Sequence, residues 1–336
     1  MHKVFETDRL LVRRYTPDDE ENFFHINNDP DVVRYIRAPK SRQESHEFLL
    51  QNLELYEKFP FMGRWAMLHK ATGDFVGSFA VFPIENTKDI QLGYSLFKPW
   101  WGQGIATESI LAGRQYAFDT LCLKQIYAFT DMANTASQKA LLKTGFMQTT
   151  DKVEGGKTLF RFVAENPDHI DTQRLRIFPL TPDHLRIYLQ ADDKFERLFG
   201  LSNFGRIVVP AVRDTVEKVA LPKIERAPAH ERIFHTFWLV VEKTSNMVVA
   251  ELGFKGVPDA GGQVEIGYGT MPTQTGRGIM TEAVGGVVDW AAKRKDIKTI
   301  VAETDNTNAA SMRILQKNQF TQFDTKGSML WWKRAI

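Results

Sequence analysis

A glycine-rich segment, Trp101–Glu108, has the sequence WGQGIATE at a point where a strand is expected to pass directly into a helix. Free amides at a helix start, together with the helix dipole, attract an anion, and glycines let a bulky phosphate approach the backbone. For one such segment alone, a tight turn that needs positive φ explains the glycines equally well. The pattern returns at Thr275–Glu282 as TGRGIMTE, and this recurrence favours a phosphate-binding function.

The two best-known phosphate loops do not match either segment. The Walker pattern ends in Gly-Lys-Ser or Gly-Lys-Thr, which neither segment contains. The dinucleotide fingerprint needs a third glycine three residues after the second, where this chain has Thr107 and Thr281. Both of these interpretations are therefore disfavoured.

The elements that must position the two segments also occur twice in the sequence. Four landmarks recur in the same order, which predicts two tandem domains of one fold. The pairs are Thr7–Leu10 and Thr172–Leu175, Leu92–Tyr94 and Ile266–Tyr268, Gly102–Ile105 and Gly276–Ile279, and Asn134–Ser137 and Asn308–Ser311. Turn-forming residues surround Pro167, and a residue before proline avoids the helical region. We therefore place the domains at residues 1–166 and 167–336.

Each predicted domain has the same order of elements. A first strand precedes a Thr-Pro-Asp helix start, and a helical stretch, two hairpin strands and a third strand lead to the glycine-rich segment. A long helix follows, then a strand, a short helix and a last pair of strands. Early hairpins with a late helix crossover indicate an α/β sheet of mixed direction. The second domain carries extra residues between Pro182 and Trp238.

Composition narrows the class of protein. The 336 residues exceed the usual size of a single core, and 43% hydrophobic with 25% charged residues is typical of a soluble globular protein. Basic and acidic side chains nearly balance at a net charge of +2, which argues against nucleic acid as the main partner. No apolar run approaches the roughly 20 residues that span a bilayer, so we expect a cytoplasmic protein with no membrane partner.

Disulfide, thiol and metal chemistry are disfavoured. The single cysteine, Cys122, lies between two leucines and is expected to be a buried structural thiol. The eight histidines form no His-Glu-x-x-His pair and no close ligand cluster, so no metal site is expected.

The first glycine-rich segment resembles the pyrophosphate loop of the GNAT superfamily of N-acetyltransferases, Gln/Arg-x-x-Gly-x-Gly/Ala. Trp101 replaces the first Gln or Arg, as is common in the branch similar to the ribosomal-protein N-terminal acetyltransferases RimJ and RimL. Further similar segments are Asp8–Arg13, Asn28–Val32, Ala106–Glu108, Asn134–Ser137 and Lys143–Phe146. The second domain is less similar, with Thr275 at the first loop position, Met280 in place of Gly or Ala, and Gln319 before Phe320.

This resemblance implies acetyl-CoA (coenzyme A) as the cofactor and two tandem GNAT-type domains, each a mixed, mostly antiparallel twisted sheet flanked by helices. The strand before the loop is expected to splay from its neighbour, so that backbone amides grip the pantetheine arm and the acetyl carbonyl. The implied cofactor-binding residues of the first domain are Leu96, Phe97, Trp101, Gly102, Gln103, Gly104, Ile105, Ala106, Thr107, Asn134 and Ser137. Those of the second domain are Thr270, Met271, Thr275, Gly276, Arg277, Gly278, Ile279, Met280, Thr281, Asn308 and Ser311.

The implied reaction transfers the acetyl group to a primary amine, of a protein N-terminus or a small molecule, by direct attack in a ternary complex. A single cysteine agrees with a mechanism that has no acyl-enzyme. The alternative is a non-catalytic acyl-CoA-binding or regulatory module that keeps the fold. Residues 29–63 and 192–237 are expected to shape the acceptor site.

Three residues are candidates for catalysis. Ser137 and Ser311 are expected near the sulfur of the cofactor by resemblance, although helix capping explains them and the preceding asparagines equally well. Many family members carry a glutamate two residues before the Gly-Tyr pair, which is Glu265 in the second domain and Gln91 in the first. A carboxylate near an apolar cleft can serve as a base, and a solvent-facing strand residue is the equal alternative for Glu265.

The side chains around the loops differ between the domains. Arg277 can add positive charge at a phosphate, whereas Met280 can crowd the helix start. Glu108 and its counterpart Glu282 suit the positive end of the helix dipole. The first domain therefore has the better cofactor loop and the second has the better base candidate. Either one site has decayed and its domain supports the other, or both are active because no fixed base is essential.

Overall fold

The computed structural model describes residues 2–154, 157–203 and 205–336, without the side chains of residues 152–154 and 157. The chain divides into two compact units, Met1–Asn166 and Pro167–Ile336, which we call the first and second domains. Among the described residues, no helix is both long and apolar enough to cross a membrane.

The first domain contains a sheet of short strands and five helices in the described residues. Its strands are β1 (Lys3–Glu6), β2 (Leu10–Arg14), β3 (Gly63–His69), β4 (Phe75–Pro83), β5 (Ile90–Leu96), β6 (Gln125–Asp131), β7 (Met147–Gln148), β8 (Lys152–Glu154) and β9 (Lys157–Glu165). Its helices are α1 (Glu20–Asn28), α2 (Pro30–Val33), α3 (Arg42–Lys58), α4 (Ile105–Asp119) and α5 (Thr135–Lys143). Short 3-10 turns lie at Pro17–Asp19 and Lys98–Trp100.

The sheet of the first domain is mixed. Its order is β1-β2-β3-β4-β5-β6-β9-β7, and β8 pairs with β9. Neighbouring strands run antiparallel except for β5 and β6, which are parallel because α4 carries the chain back across the sheet between them. The predicted mixed, mostly antiparallel sheet is confirmed.

The parallel strands β5 and β6 separate soon after they meet. They pair at one position, Gln91 with Tyr127, whereas β5 keeps its register with β4 as far as Gly77 and Leu96. The second half of β5 therefore has one edge without a strand partner. This is the splay that the resemblance implies.

The second domain repeats this architecture. Its strands are β10 (Ile170–Asp171), β11 (Leu175–Pro179), β12 (Phe237–Glu242), β13 (Met247–Phe254), β14 (Gln263–Thr270), β15 (Thr299–Asp305), β16 (Thr321–Lys326) and β17 (Met329–Ala335). Its helices are α6 (Pro182–Tyr188), α7 (Lys194–Phe199), α8 (Pro210–Thr215), α9 (Leu221–Arg226), α10 (Ile279–Ala291) and α11 (Ala309–Lys317). The sheet order is β10-β11-β12-β13-β14-β15-β17-β16. The parallel pair β14 and β15 again joins only at its start, from Gln263 to Glu265.

The domains differ most between the first helix and the hairpin. The first domain has one long helix there, α3, whereas the extra residues of the second domain form α7, α8, a π-helical segment at Val216–Ala220, and α9. The sequence pattern predicts neither β1 nor β10, because each is very short and pairs with only one neighbour.

A glycine in α4 allows the helix to lie close to the sheet of the first domain. A Cβ at Gly113 would lie 2.1 Å from Cζ of Phe79, a residue with no exposed surface. Phe79 stacks on Trp65 with ring centroids 6.5 Å apart and meets Phe5 of β1 edge-on at 5.6 Å. Burial of each such side chain contributes about 1.5–3 kcal/mol. The loop before α4 is therefore carried on a rigidly packed helix.

Candidate functional site

The glycines of the first loop are required by the backbone and also leave space for a ligand. Gly102 and Gly104 have φ of 73° and 78°, a region that side chains rarely adopt. A Cβ at Gly102 would meet no atom within 4 Å. The first hydrogen bond of α4 runs from the amide of Glu108 to the carbonyl of Gly104 at 3.0 Å, so the amides before Glu108 have no acceptor inside the helix. A tight turn and an anion site thus coexist.

Arg9, which directly precedes β2, holds the first loop in place through hydrogen bonds. Its Nε donates to Oε2 of Glu108 at 2.6 Å, and its Nη1 donates to the carbonyl of Gln103 at 3.0 Å. Thr7 donates to the same carboxylate. Burial raises the pKa of Glu108, but the hydrogen bonds from Thr7 and Arg9 outweigh it and hold that pKa below its ordinary value. Glu108 therefore fixes the loop, in addition to lying at the positive end of α4.

The second domain contains the same set of contacts, and we call the set of threonine, arginine and glutamate contacts at each loop its clamp. Arg174 Nε donates to Oε2 of Glu282 at 2.6 Å, and Arg174 Nη1 donates to the carbonyl of Arg277 at 3.1 Å. Thr172 Oγ1 donates to this carboxylate at 2.6 Å. From the sequence, the Thr-x-Arg-Leu landmark detects the repeat and Asp8–Arg13 supports the resemblance, but neither is assigned a role in positioning the loops. The recurrence of the landmark ahead of both loops was the signal for a role in positioning them.

Trp101 anchors the first loop to the end of β5. Its indole Nε1 donates to the carbonyl of Leu96 at 2.7 Å, while the ring is 48% exposed. Trp100 instead packs on His69, with ring centroids 4.9 Å apart. Thr275, at the position of Trp101 in the second domain, only closes its own turn, from Oγ1 to the carbonyl of Pro272 at 3.3 Å.

Each strand that precedes a loop offers one free amide at its end, where two were predicted. The amide of Phe97 donates to the carbonyl of Val76 at 3.0 Å. Because alternate amides of a strand point in opposite directions, the amide of Leu96 faces the splay. The amide of Phe97 is therefore engaged within the sheet, and that of Leu96 is the one open to a ligand. In the second domain, the amide of Met271 likewise donates to the carbonyl of Val249 at 3.0 Å and leaves that of Thr270 facing the splay.

A tyrosine and a serine meet across the open edge of β5. The hydroxyl of Tyr94 donates to Oγ of Ser137 at 3.0 Å. Burial raises the pKa of Tyr94, so the phenol stays protonated at neutral pH. Asn134 caps α5 by accepting from the amide of Ser137 at 3.1 Å, which confirms the capping role.

The second domain has the equivalent contacts. The hydroxyls of Tyr268 and Ser311 are 3.0 Å apart, and Asn308 accepts from the amide of Ser311 at 3.0 Å. Tyr94 and Tyr268 therefore hold the predicted serines in place.

One cavity of about 630 Å³ in the first domain brings most of the predicted residues together. It is lined by Leu96, Trp101, Gly102, Gly104, Ile105, Ala106, Thr107, Asn134 and Ser137. Phe97 and Gln103 do not line it, and the side chain of Gln103 donates to the carbonyl of Pro99 at 2.5 Å. The cavity continues past Tyr94 to residues of α1, α3 and β3, and we call this part its acceptor side because residues 29–63 are expected to shape the acceptor site.

Two arginines lie on the acceptor side of this cavity. The guanidinium of Arg64 lies over the rings of Phe82 and Phe48, 4.7 Å and 5.0 Å from their centroids, and that of Arg37 lies 5.5 Å from Phe48. Arg37 also donates to the amide oxygen of buried Asn27. Burial and the nearby Arg37 lower the pKa of Arg64 to about 10, and burial lowers the pKa of Arg37.

Both guanidinium groups are half-buried, and their aromatic contacts offset part of the cost of removing the charges from water. Within the described ranges, no carboxylate pairs with Arg37 or Arg64 or shifts its pKa. The acceptor side of the cavity is therefore electropositive. Sequence reasoning missed both arginines, because nothing local distinguishes them from surface cations.

The second loop keeps the backbone of the first but directs its side chains elsewhere. Gly276 and Gly278 have φ of 77° and 73°. Arg277 Nη2 pairs with Oε1 of Glu242 at 2.6 Å, so its charge is partly neutralised rather than free for a phosphate. Met280 is 3% exposed and packs in the core of the domain, so only its backbone is available to a ligand.

Glu265 is held by a lysine. Lys255 Nζ lies 2.5 Å from Oε1 of Glu265 and also 2.5 Å from Oε1 of Glu303. The hydrogen bonds to these two glutamates outweigh the effect of burial and raise the pKa of Lys255. Glu265 therefore lies in an ion-pair cluster, and a substrate ammonium would have to displace Lys255 to reach it. By strand register, the first domain has Gln91 and Phe82 at the positions of Glu265 and Lys255.

A second cavity, of about 1000 Å³, lies beside β13 and β14 of the second domain. It reaches Tyr268 and Gly269, but the loop from Thr275 to Thr281 does not line it. Glu251 lies in its wall, where surrounding protein atoms raise the pKa of the carboxyl although the side chain remains open to the cavity. Sequence reasoning missed Glu251, because a lone glutamate in a strand carries no local signal.

Comparisons with known proteins identify the same family for both domains. The family model described as an acetyltransferase (GNAT) domain matches residues 9–147 and 174–321. YkkB of Bacillus subtilis is 31% identical over 142 residues, which are 41% of this chain and 82% of YkkB. The N-acetyltransferase YoaA of the same bacterium is 28% identical over 151 residues, 44% of this chain and 85% of YoaA.

Solved structures also match over about the length of one domain. A GNAT-family acetyltransferase from Bacillus anthracis, 19% identical, covers 49% of this chain and 98% of its own, with a TM-score of 0.43. RimL, a ribosomal L7/L12 alpha-N-protein acetyltransferase in complex with coenzyme A, is 15% identical and covers 49% of this chain and 98% of its own, with a TM-score of 0.43.

Proposed function

The chain belongs to the GNAT family of acetyl-CoA-dependent acetyltransferases, and from this premise we propose that its first domain acetylates a primary amine of a small molecule or a protein N-terminus. One observation carries the proposal. The cavity of about 630 Å³ joins the glycine loop, the open edge of β5 and the Tyr94–Ser137 pair to a separate acceptor side. A ternary complex needs such a continuous space, because the amine must reach the acetyl carbon directly.

The residues of this cavity suit acetyl-CoA. The free amides at the start of α4 and the open space beside Gly102 would hold the pyrophosphate. The amide of Leu96 would bind the acetyl carbonyl, and Asn134 would approach the pantetheine arm from α5. When bound, acetyl-CoA supplies an acetyl thioester that is open to attack by an amine.

The residues of the first domain would then act on the reaction as follows. The Leu96 amide stabilises the charge that develops on the carbonyl oxygen. Ser137, whose oxygen accepts from Tyr94, would donate a hydrogen bond to the departing sulfur, and the thiolate would take up a proton from water in exchange for the one that the amine loses. The amine nitrogen forms its bond to the acetyl carbon as the C–S bond breaks. Because Gln91 cannot accept a proton, the proton on nitrogen goes to water at the mouth of the cavity.

For the second domain we propose acetyl-CoA binding without turnover. The φ angles of Gly276 and Gly278 and the clamp of Arg174 on Glu282 support binding, because they reproduce the first loop. The cavity beside β13 and β14 does not include the loop, so it offers no continuous space for a ternary complex. Ser311 would remain a positioning contact of Tyr268.

Acetyl-CoA stoichiometry and thiol release together test both proposals. We expect two equivalents to bind to the wild type, and thiol release with at least one amine in a panel of peptides, polyamines, aminoglycosides and amino acids. Gly104→Arg, which fills the first loop, should lose one equivalent and all thiol release. Gly278→Arg is the matched control in the second loop and should lose one equivalent while release continues. Release that survives Gly104→Arg would overturn the assignment to the first domain.

A further inference from the structure

The contacts proposed for acetyl-CoA do not include the two arginines of the first-domain cavity. We propose that Arg64 and Arg37 bind an anionic group on the acceptor, so that the first domain acetylates small amines that carry a carboxylate or a phosphate. This inference rests on the proposed function of that domain and adds the class of its substrate.

The contacts of the two guanidinium groups leave their hydrogen-bond donors available to a ligand. Arg64 is held by the faces of Phe48 and Phe82, which do not engage the N–H groups at its edge. Arg37 uses one donor on Asn27 and shares the ring of Phe48. A planar guanidinium with free N–H groups matches a carboxylate or phosphate in two-point geometry. Both side chains line the cavity.

The acidic residues that line this cavity are engaged elsewhere. Asp31 forms an ion pair with Lys98, and Oδ1 of Asp131 accepts from the amide of Ala133 at 2.8 Å. Neither shifts the pKa of Arg37 or Arg64. In the part of the chain that the structure describes, the half-buried guanidinium groups of Arg64 and Arg37 therefore have no carboxylate partner, and an anionic ligand would supply one.

The sheet sets the spacing between the anion and the reacting amine. Arg64 is in register with Ala80 of β4, and Ala80 with Gly93 of β5. Two strand spacings separate Arg64 from the open edge of β5, about 10 Å at the backbone. The arginine side chain spans part of this distance. The acceptor should therefore carry its amine and its anion at opposite ends of a short chain.

The second domain lacks this site. By the same register, Phe237 occupies the position of Arg64, and Glu251 occupies that of Ser78. The second domain therefore has no guanidinium at the position of Arg64, although Lys218, Lys223, Arg226 and Lys255 line other parts of its cavity. The register places the pair of arginines in the first domain, and the substitutions below test whether any preference for anionic acceptors depends on it.

Matched pairs of amines test the inference in the full-length protein. Each pair differs only in charge: β-alanine and its amide, ε-aminocaproate and its amide, phosphoethanolamine and ethanolamine. With saturating acetyl-CoA, we expect kcat/KM from thiol release to favour the anionic member of at least one pair about tenfold, which corresponds to one charge-assisted contact. A preference within the carboxylate pairs identifies a carboxylate, and one confined to phosphoethanolamine identifies a phosphate.

Substitutions locate the site. Arg64→Met and Arg37→Met should each lower kcat/KM for the anionic amine toward that of its neutral partner, mainly through KM, and Arg64→Lys should have an intermediate effect. Arg42→Met, at an exposed arginine of α3 that pairs with Glu21, is the control and should leave the preference unchanged. Neutral members that match or exceed the anionic ones in every pair would overturn the inference, as would a preference that survives Arg64→Met.

A binding measurement separates this inference from the proposed function. The anionic member of the preferred pair should raise the melting temperature of the wild type, and not of Arg64→Met, in the absence of acetyl-CoA. If no amine supports thiol release although acetyl-CoA binds, the proposed function fails, and this measurement still decides the anion site. If the charged and neutral amines then raise the melting temperature equally, the proposed anion site is rejected.

Discussion

Arg9 Nε lies 2.6 Å from Oε2 of Glu108, so the turn that begins β2 is fastened to the first turn of the loop helix α4. Arg174 and Glu282 repeat the contact at 2.6 Å in the second domain. In both domains the same arginine also donates to a carbonyl inside the glycine loop. The clamp therefore controls the shape of the loop in addition to joining two elements.

Removal of the clamp should weaken acetyl-CoA binding while the domain stays folded. Arg9→Met releases the carbonyl of Gln103, and we expect the affinity of the first site to fall about tenfold, the effect of roughly 1.4 kcal/mol. Isothermal titration calorimetry checks this, with Arg174→Met as the matched variant that should affect only the second site. Unchanged affinity accompanied by lower stability would mean that the clamp has a structural role alone.

The clamp should make the free energy of unfolding of the first domain depend on pH. Because the pKa of Glu108 is lowered in the folded protein, its contribution is present above the ordinary pKa and is lost as pH falls through the folded value. Glu108→Gln should therefore destabilise the first domain at pH 7 by about 1 kcal/mol, the value of a partly exposed charged contact. The difference from wild type should vanish below pH 4 in urea titrations. A deficit that is constant with pH would contradict this.

The carboxyl of Glu251 should make the free energy of unfolding of the second domain depend on pH in the opposite sense. Burial raises its pKa in the folded protein, so its contribution to stability is present below the ordinary pKa and is lost as pH rises through the folded value. Glu251→Gln removes this penalty and should stabilise the second domain at neutral pH by a fraction of a kcal/mol. The gain should disappear near pH 4 in the same urea titrations. Destabilisation at neutral pH would instead indicate a partner for the ionised carboxylate.

The hydroxyl of Tyr94 should affect the chemical step. Tyr94→Phe leaves Ser137 without its donor, so we expect kcat to fall about tenfold or more while KM for acetyl-CoA changes little. Tyr268→Phe is the matched variant in the second domain and should leave turnover unchanged. Steady-state kinetics with the best amine distinguish the two. A rise in KM at constant kcat would mean that Tyr94 serves binding alone.

Local signals were sufficient for much of the fold. Glycine spacing, threonine at helix starts and strands around short turns predict the elements on either side of both loops, since these signals act within a few residues. The predicted first strand of each domain is β2 or β11, and the predicted hairpin before each loop is β3 with β4 or β12 with β13. The short strands β1 and β10 could not be predicted, because their stability comes from a single neighbour.

The sequence by itself determined that the chain contains one glycine-loop fold twice, with the better-matching loop in the first copy. Tertiary structure decided which groups face a ligand. The contacts of Arg9 with Glu108 and of Lys255 with Glu265 join residues on different elements, and strand register directs the amide of Phe97 to Val76 and leaves that of Leu96 free. Such pairings depend on how strands align across the sheet, a long-range property that residue type and local spacing do not encode.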